Sequence, residues 1–186
     1  MQAIILAGGI GSRLKPLTEN LPKPMIPLLN KPLMEYTVEL LKKHNLTNIG
    51  ATLMFLPQKI KEHFTDGNAW RVEMSYFQET TPLGTGGSVK MAENQLDETF
   101  VVISGDALTN VDLTKVLEFH KTNEADVTIV LSKQENPLEY GVVLTDETGK
   151  ITAFSEKPQW ENVVSNTVNT GIYVMNKKVL SKIPSA

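Results

Sequence analysis

The chain has 186 residues, 41% of them hydrophobic and 21% charged, with a formal net charge of −3 and no cysteine. These values fit a globular domain with a sizeable core, and they exclude disulfide scaffolds, thiolate metal sites, cysteine nucleophiles and a broad polyanion-binding surface. No apolar run approaches the ~20 residues of a membrane span, and the first residues lack the pattern of a signal peptide. The expectation is a single domain in a reducing cytoplasm, with neither nucleic acid nor membrane as a partner. Nothing in the composition bars a homo-oligomer.

In chain order, Gln2–Ala7 is a continuous apolar run, the pattern of a strand buried on both faces. A glycine-rich stretch follows at once, GGIGSRLKP over residues 8–16. Residues 15–32 hold five prolines, so a long stiff loop is predicted there. Leu33–His44 has helical spacing, with Leu33, Tyr36, Leu40 and Leu41 on one side. Ile49–Phe55 reads as a strand, Gln58–Phe64 as a short helix and Val72–Gln78 as a third strand. Gly87–Leu96 reads as a helix, Phe100–Ser104 as a very apolar fourth strand, Leu113–Thr122 as a helix and Asp126–Leu131 as a fifth strand. Gly141–Thr145, Ile151–Ser155 and Thr170–Met175 are strand-like without helices between them, and residues 146–149 (DETG) form a hairpin turn. A further helix is expected just before the last residues.

The first two-thirds thus reads as βαβ units and the last third as antiparallel or mixed strands. The predicted class is α/β, a Rossmann-like three-layer sandwich with a mostly parallel central sheet and added antiparallel strands.

The glycine stretch is not a dinucleotide fingerprint, because Leu14 stands at the third glycine position and prolines block a long helix behind it. It is not a P-loop either, because Gly11 is followed by Ser12-Arg13 rather than Lys-Ser/Thr. Arg13 lies within it, where the backbone N–H groups of Gly8 to Arg13 can form an anion-binding nest. Lys15 follows, and Lys23 is held between Pro22 and Pro24. Arg presents a planar fork to phosphate oxygens and Lys a point charge. Together they suit a triphosphate whose leaving group is pyrophosphate. No Ser/His/Asp set is evident, and His44, His63 and His120 fall at or near helix ends and are expected on the surface.

LAGGIGSRLKPLTENLPKPM closely resembles the N-terminal signature of the sugar-1-phosphate nucleotidyltransferases, the NDP-sugar pyrophosphorylases. The resemblance continues in order through QETTPLGTGGS, ISGDALTNVD, EYGVV, FSEKP and VNTGIYV, from residue 2 to about residue 183. It implies that a sugar 1-phosphate oxygen attacks the α-phosphorus of an NTP, giving an NDP-sugar and pyrophosphate. The nucleophile is already an anion, so catalysis reduces to positioning and charge neutralisation.

By this resemblance Arg13, Lys23 and Asp106 are catalytic, and Asp106 binds Mg²⁺. Leu6, Ala7, Gly8, Gly9, Gly11, Ser12, Arg13, Gln78, Gly84 and Thr85 hold the nucleotide. Gly141, Glu156, Lys157, Asn169 and Thr170 hold the sugar phosphate. Asp106 also stands on its own merits, at the carboxyl end of a central strand. Asp112 reads instead as a helix N-cap. An adjacent Glu-Lys pair is ordinarily a solvated edge, and only the FSEKP match gives Glu156 and Lys157 a role. Trp160 is either a shield over the site or part of the core.

The family's second metal-binding aspartate has no match before Ala186, so the expectation is a catalytic domain truncated at its C-terminal end. The wording of residues 155–174 is most similar to bacterial mannose-1-phosphate guanylyltransferase-like chains, which implies GTP and mannose 1-phosphate. Glucose-1-phosphate thymidylyl- or uridylyltransferase is the alternative, and a non-catalytic nucleotide-sugar-binding regulatory module is the alternative of another class.

Overall fold

A computed structural model describes residues 2–184. The chain forms two compact units, one of residues 2–128 with 173–184 and the other of residues 129–172.

In the first unit, β1 (Ala3–Leu6), β4 (Asn48–Leu53), β5 (Glu73–Gln78) and β6 (Thr99–Ser104) lie in the order β5-β4-β1-β6, all parallel. The apolar runs of β1, β4 and β6 have the cause expected of a parallel sheet: Ile4, Ile5, Ile49, Val101 and Ile103 are all fully buried. The end of β10 (Thr167–Asn176) lies beside β6, where the Lys177 N–H donates to the Glu98 carbonyl. One core cluster joins Ile4, Phe100 and Val102 of the strands to Val89, Ala92, Leu96 and Leu180.

Helices α1 (Leu33–Lys43), α2 (Pro57–Phe64), α3 (Gly84–Lys90) and α4 (Leu113–Thr122) accompany these strands. Helix α1 buries Met34, Thr37, Val38, Leu40 and Leu41 rather than the stripe through Leu33 and Tyr36. The Tyr36 hydroxyl instead donates to the Leu28 carbonyl. Asp112 caps α4 as expected, accepting from the Lys115 N–H at 3.2 Å.

Three elements differ from expectation. Helix α3 starts at Gly84 and stops at Lys90, with only a short 3₁₀ turn at Glu93–Gln95 beyond it. The proline-rich loop contains a 3₁₀ turn at Lys23–Met25 and a two-stranded ribbon, β2 (Pro27–Leu28) with β3 (Lys31–Pro32). The expected last helix is a 3₁₀ helix, Lys177–Lys182.

In the second unit, β8 (Gly141–Thr145) and β9 (Ile151–Glu156) form an antiparallel hairpin. The DETG turn is fixed by Asp146, whose side chain accepts from the N–H groups of Thr148 and Lys150 at 2.9 and 3.0 Å. Strand β8 also pairs antiparallel with β10, Val142 facing Val168. Strand β7 (Val127–Lys133) completes the set by pairing with β10.

The histidines correct the sequence expectation. His120 is buried, 3% exposed, and the His44 side chain is only 9% exposed. His63 Nε2 donates to the Glu35 carboxylate at 2.6 Å, and its ring packs on Phe64 and Trp70. His120 sits in a polar knot. Asn176 donates its amide to the Ala125 carbonyl at 2.9 Å, which turns its Oδ1 toward His120 Nε2 at 3.2 Å. The Thr99 hydroxyl donates to the same Oδ1 at 2.8 Å, and His120 Nδ1 meets the Thr128 hydroxyl at 2.9 Å. Nε2 therefore donates to the Asn176 Oδ1, and Nδ1 shares a hydrogen bond with the Thr128 hydroxyl. Replacing His120 with Ala leaves Thr128 and Asn176 short of partners. It is expected to lower unfolding stability by about 2–3 kcal/mol, read as a lower urea midpoint. An unchanged midpoint would show that the knot carries no stability.

Candidate functional site

The carboxyl ends of β1 and β6 face two adjoining hollows in the first unit, which share Leu6, Gly9 and Ser104. One, of about 280 Å³, is lined by Ala7, Gly11, Ser12, Arg13, Lys23 and Asp106 among others. The other, of about 430 Å³, is lined by Gly8, Ile10, Thr52, Met54, Glu79, Pro82, Gly84, Thr85 and Ser88. The first is cationic and polar, and the second is the more apolar. An open parallel sheet binds ligands at this end of its strands.

Local structure explains the cationic side. Gly11 has φ 67°, and a Cβ there would stand 3.0 Å from the Cβ of Lys23 and 3.1 Å from Thr18. A glycine is needed both for the backbone angle and for the approach of Lys23. The buried Thr18 donates its hydroxyl to the Gly11 carbonyl at 2.9 Å, which ties the loop to the segment behind it. Pro22 and Pro24 flank Lys23 at the start of its 3₁₀ turn, and Pro24 is buried.

Lys23 forms an ion pair with Asp106, and the Ser104 hydroxyl donates to the other carboxylate oxygen. Burial works against ionisation of Asp106. The hydrogen bonds from Lys23 and Ser104, with the Lys23 charge, prevail and hold the carboxyl below its ordinary value. Asp106 is thus an ionised oxygen ligand at the cleft, and its chemistry fits a hard divalent cation. Among the described residues no group of three or more His, Cys, Asp or Glu side chains gathers to enclose a metal. A cation at Asp106 would complete its shell with phosphate and water oxygens, as Mg²⁺ commonly does.

Of the residues expected to hold a nucleotide, all but Gln78 line the two hollows. Gln78 is exposed at the end of β5, and its side-chain carbonyl accepts from Lys61 at 2.9 Å. Glu79, the next residue, points into the cleft instead, and sequence reasoning missed it. The signal was present, because strand alternation places adjacent residues on opposite faces. Ser104 was missed as well.

The second unit assembles its own group. Gly141 faces Glu156 in the β8–β9 register. A Cβ on Gly141 would come within 2.9 Å of Glu156 Oε2 and 2.6 Å of Phe154, so any side chain there would displace both of these side chains. The antiparallel register of β10 on β8 sets Asn169 beside Gly141. Asn169, Gly141 and Glu156 therefore form a row across three strands. Lys157 follows with φ 43°, and its N–H donates to the Tyr140 carbonyl at 3.0 Å. Asn169 Oδ1 accepts from the Gly171 N–H, while the Thr170 hydroxyl donates to the Val130 carbonyl at 2.7 Å. Trp160 is 61% exposed, so it is not core.

The mixed sheet and the cleft at its parallel carboxyl ends define an α/β protein whose cleft is lined by a glycine-rich loop. The chain belongs to the nucleotidyl transferase family, whose profile matches residues 2–185. It is 40% identical to the UTP–glucose-1-phosphate uridylyltransferase of Synechocystis sp., over all of this chain and 51% of that protein. It is 35% identical to the mannose-1-phosphate guanylyltransferase of Mycobacterium tuberculosis, over 99% of this chain and 51% of that protein. The chain thus spans about half the length of these curated relatives. The solved structure of HddC from Yersinia pseudotuberculosis complexed with GMP-PN superposes with a TM-score of 0.81 at 28% identity, covering 98% of this chain and 80% of that one.

The ion pair makes a direct prediction. In carboxyl-carbon NMR titrations, Asp106 should titrate below the ordinary carboxylate value. Lys23→Met should move that midpoint upward, because burial remains while the cation that favours the charged form is gone. An unmoved midpoint would show that Lys23 does not govern Asp106.

Proposed function

We propose that the chain is part of the catalytic domain of an enzyme that transfers a nucleotidyl group from an NTP to a sugar 1-phosphate, releasing pyrophosphate. The observation that carries this is the paired hollow: a glycine-lined, more apolar side sized for a base, continuous with a side holding Arg13, Lys23 and Asp106. In this reading Leu6, Ala7, Gly8, Gly9, Gly84 and Thr85 flank the base and ribose. Gly11, Ser12, Arg13 and Lys23 take the phosphates. Gly141, Glu156, Lys157, Asn169 and Thr170 of the second unit take the sugar phosphate.

The acceptor's phosphate oxygen forms a bond to the α-phosphorus while the bond to the bridging oxygen of pyrophosphate breaks. Arg13 and Lys23 neutralise the charge that gathers on the departing pyrophosphate. Mg²⁺ held by Asp106 would supply charge neutralisation at the α-phosphate. Lys23 leaves Asp106 for the phosphates as the nucleotide arrives, so the pair keeps both groups ordered until then.

GTP and mannose 1-phosphate are the favoured pair, supported by the likeness to the guanylyltransferase of M. tuberculosis and by the GMP-PN complex of HddC. The 40% identity to a uridylyltransferase supports UTP and glucose 1-phosphate as the second reading. Pyrophosphate release by the full-length protein, measured with each NTP and each sugar 1-phosphate, decides between them. Release with one pair is expected, and release with none contradicts the enzyme and favours a nucleotide-sugar-binding regulatory module.

Arg13→Ala is expected to lower turnover by at least ~100-fold, the scale of one lost transition-state charge partner. Near-normal turnover in that variant would remove Arg13 from the site. Glu156→Gln should raise the KM for sugar 1-phosphate and leave that for the NTP unchanged; parallel changes in both would show that Glu156 is misplaced.

A further inference from the structure

Two glycine loops line the larger of the two hollows, one through Gly8, Gly9 and Ile10 after β1 and the other through Pro82, Gly84 and Thr85 before and within α3. Glycine loops are intrinsically loose, so something must set their separation. Glu79 is placed to do so. It is only 8% exposed, and no cation lies within ion-pair distance of it among the described residues. Its backbone N–H donates to the Leu53 carbonyl at 2.8 Å, which anchors it to β4. One carboxyl oxygen accepts from the Leu83 N–H at 3.2 Å. The other lies 2.7 Å from the Ser88 hydroxyl, which is also 2.7 Å from the Gly84 carbonyl. That same oxygen would be 3.3 Å from a Cβ on Gly8. A single carboxyl group therefore grips the second loop at both ends and abuts the first.

A buried carboxyl group is costly unless its oxygens are hydrogen-bonded, and here both are bonded to the second loop and its helix. We infer that Glu79 is a positioning residue for nucleotide recognition: it sets the spacing of the two glycine loops and so the width of the slot that takes the base. The inference rests on the nucleotidyl-transfer reading, and it assigns Glu79 no contact with the reacting phosphates. The bracket needs one acceptor for Leu83 and one polar partner for Ser88. A Gln amide can meet both needs, accepting from Leu83 and donating to the Ser88 oxygen. A Leu side chain can meet neither.

The test compares calorimetric binding of the nucleoside triphosphate with that of inorganic tripolyphosphate, which engages the cationic side and has no base. Glu79→Leu should weaken the nucleoside triphosphate about tenfold or more while leaving tripolyphosphate unchanged. Glu79→Gln should restore nucleotide affinity to within about threefold of the unaltered chain. Should Glu79→Leu fail to fold, Ser88→Ala replaces it, removing the tie to Gly84 with the same expected selectivity for the base-bearing ligand. Equal weakening of both ligands would reduce Glu79 to a general stabiliser, and unchanged nucleotide affinity would remove it from recognition. A Gln variant as weak as the Leu variant would make the charge, not the bracket, the operative feature. Each of these overturns the inference alone. Failure of the unaltered chain to bind any nucleotide would overturn the functional reading with it.

Discussion

A carboxylate at the end of a buried parallel strand cannot stand unpartnered, and the cleft is organised by the partner that Asp106 finds. Lys23 reaches it from a proline-flanked turn far away in sequence, and Ser104 adds a hydrogen bond from the strand itself. The pair needs Gly11 in a left-handed conformation, because a side chain there would press on Lys23. It needs Thr18 to hold the Gly11 carbonyl. The glycine loop, the proline-rich segment and β6 are thus bound into one unit by a single charge requirement. The same requirement keeps one cation and one anion at the place where phosphate and a divalent metal would each want the opposite partner.

The second constraint is close approach. The first unit brings two glycine-rich loops to one hollow, and the second unit brings Glu156 and Phe154 so close to Gly141 that a side chain there would displace them. In both places the missing side chain leaves backbone and polar groups open, which the proposed function uses for the ligand. Asp106 offers one hard oxygen donor, and the phosphates of a bound nucleotide would complete the shell of a divalent cation held there.

Much of this was legible in the sequence because it depends on local pattern. A continuous apolar run marked β1 as a strand buried on both faces, and β4 and β6 also read as strands. The departure from known glycine fingerprints, with Arg13 and Lys23 close behind, separated this loop from dinucleotide and P-loop types. What was not legible depends on partners distant in sequence. His120 looked like a surface residue because nothing local reveals Asn176 and Thr128. Helix α3 begins at Gly84 despite the poor helix propensity of glycine, and Ser88 bonding to Glu79 and Gly84 accompanies that early start. Glu79 itself was overlooked beside Gln78, although one step of strand alternation turns it inward. The row of Asn169, Gly141 and Glu156 required the register of three strands, which no single segment encodes.

The central claim is that the hollow at the ends of β1 and β6 takes a nucleoside triphosphate by its base and its phosphates together. The most direct measurement is an amide NMR titration of the chain with a magnesium nucleoside triphosphate, mapping which residues respond. The account predicts saturable shifts concentrated in Gly8–Arg13, around Lys23, in Glu79–Ser88 and at Asp106. Shifts scattered over the surface, or confined to residues remote from that hollow, would contradict it.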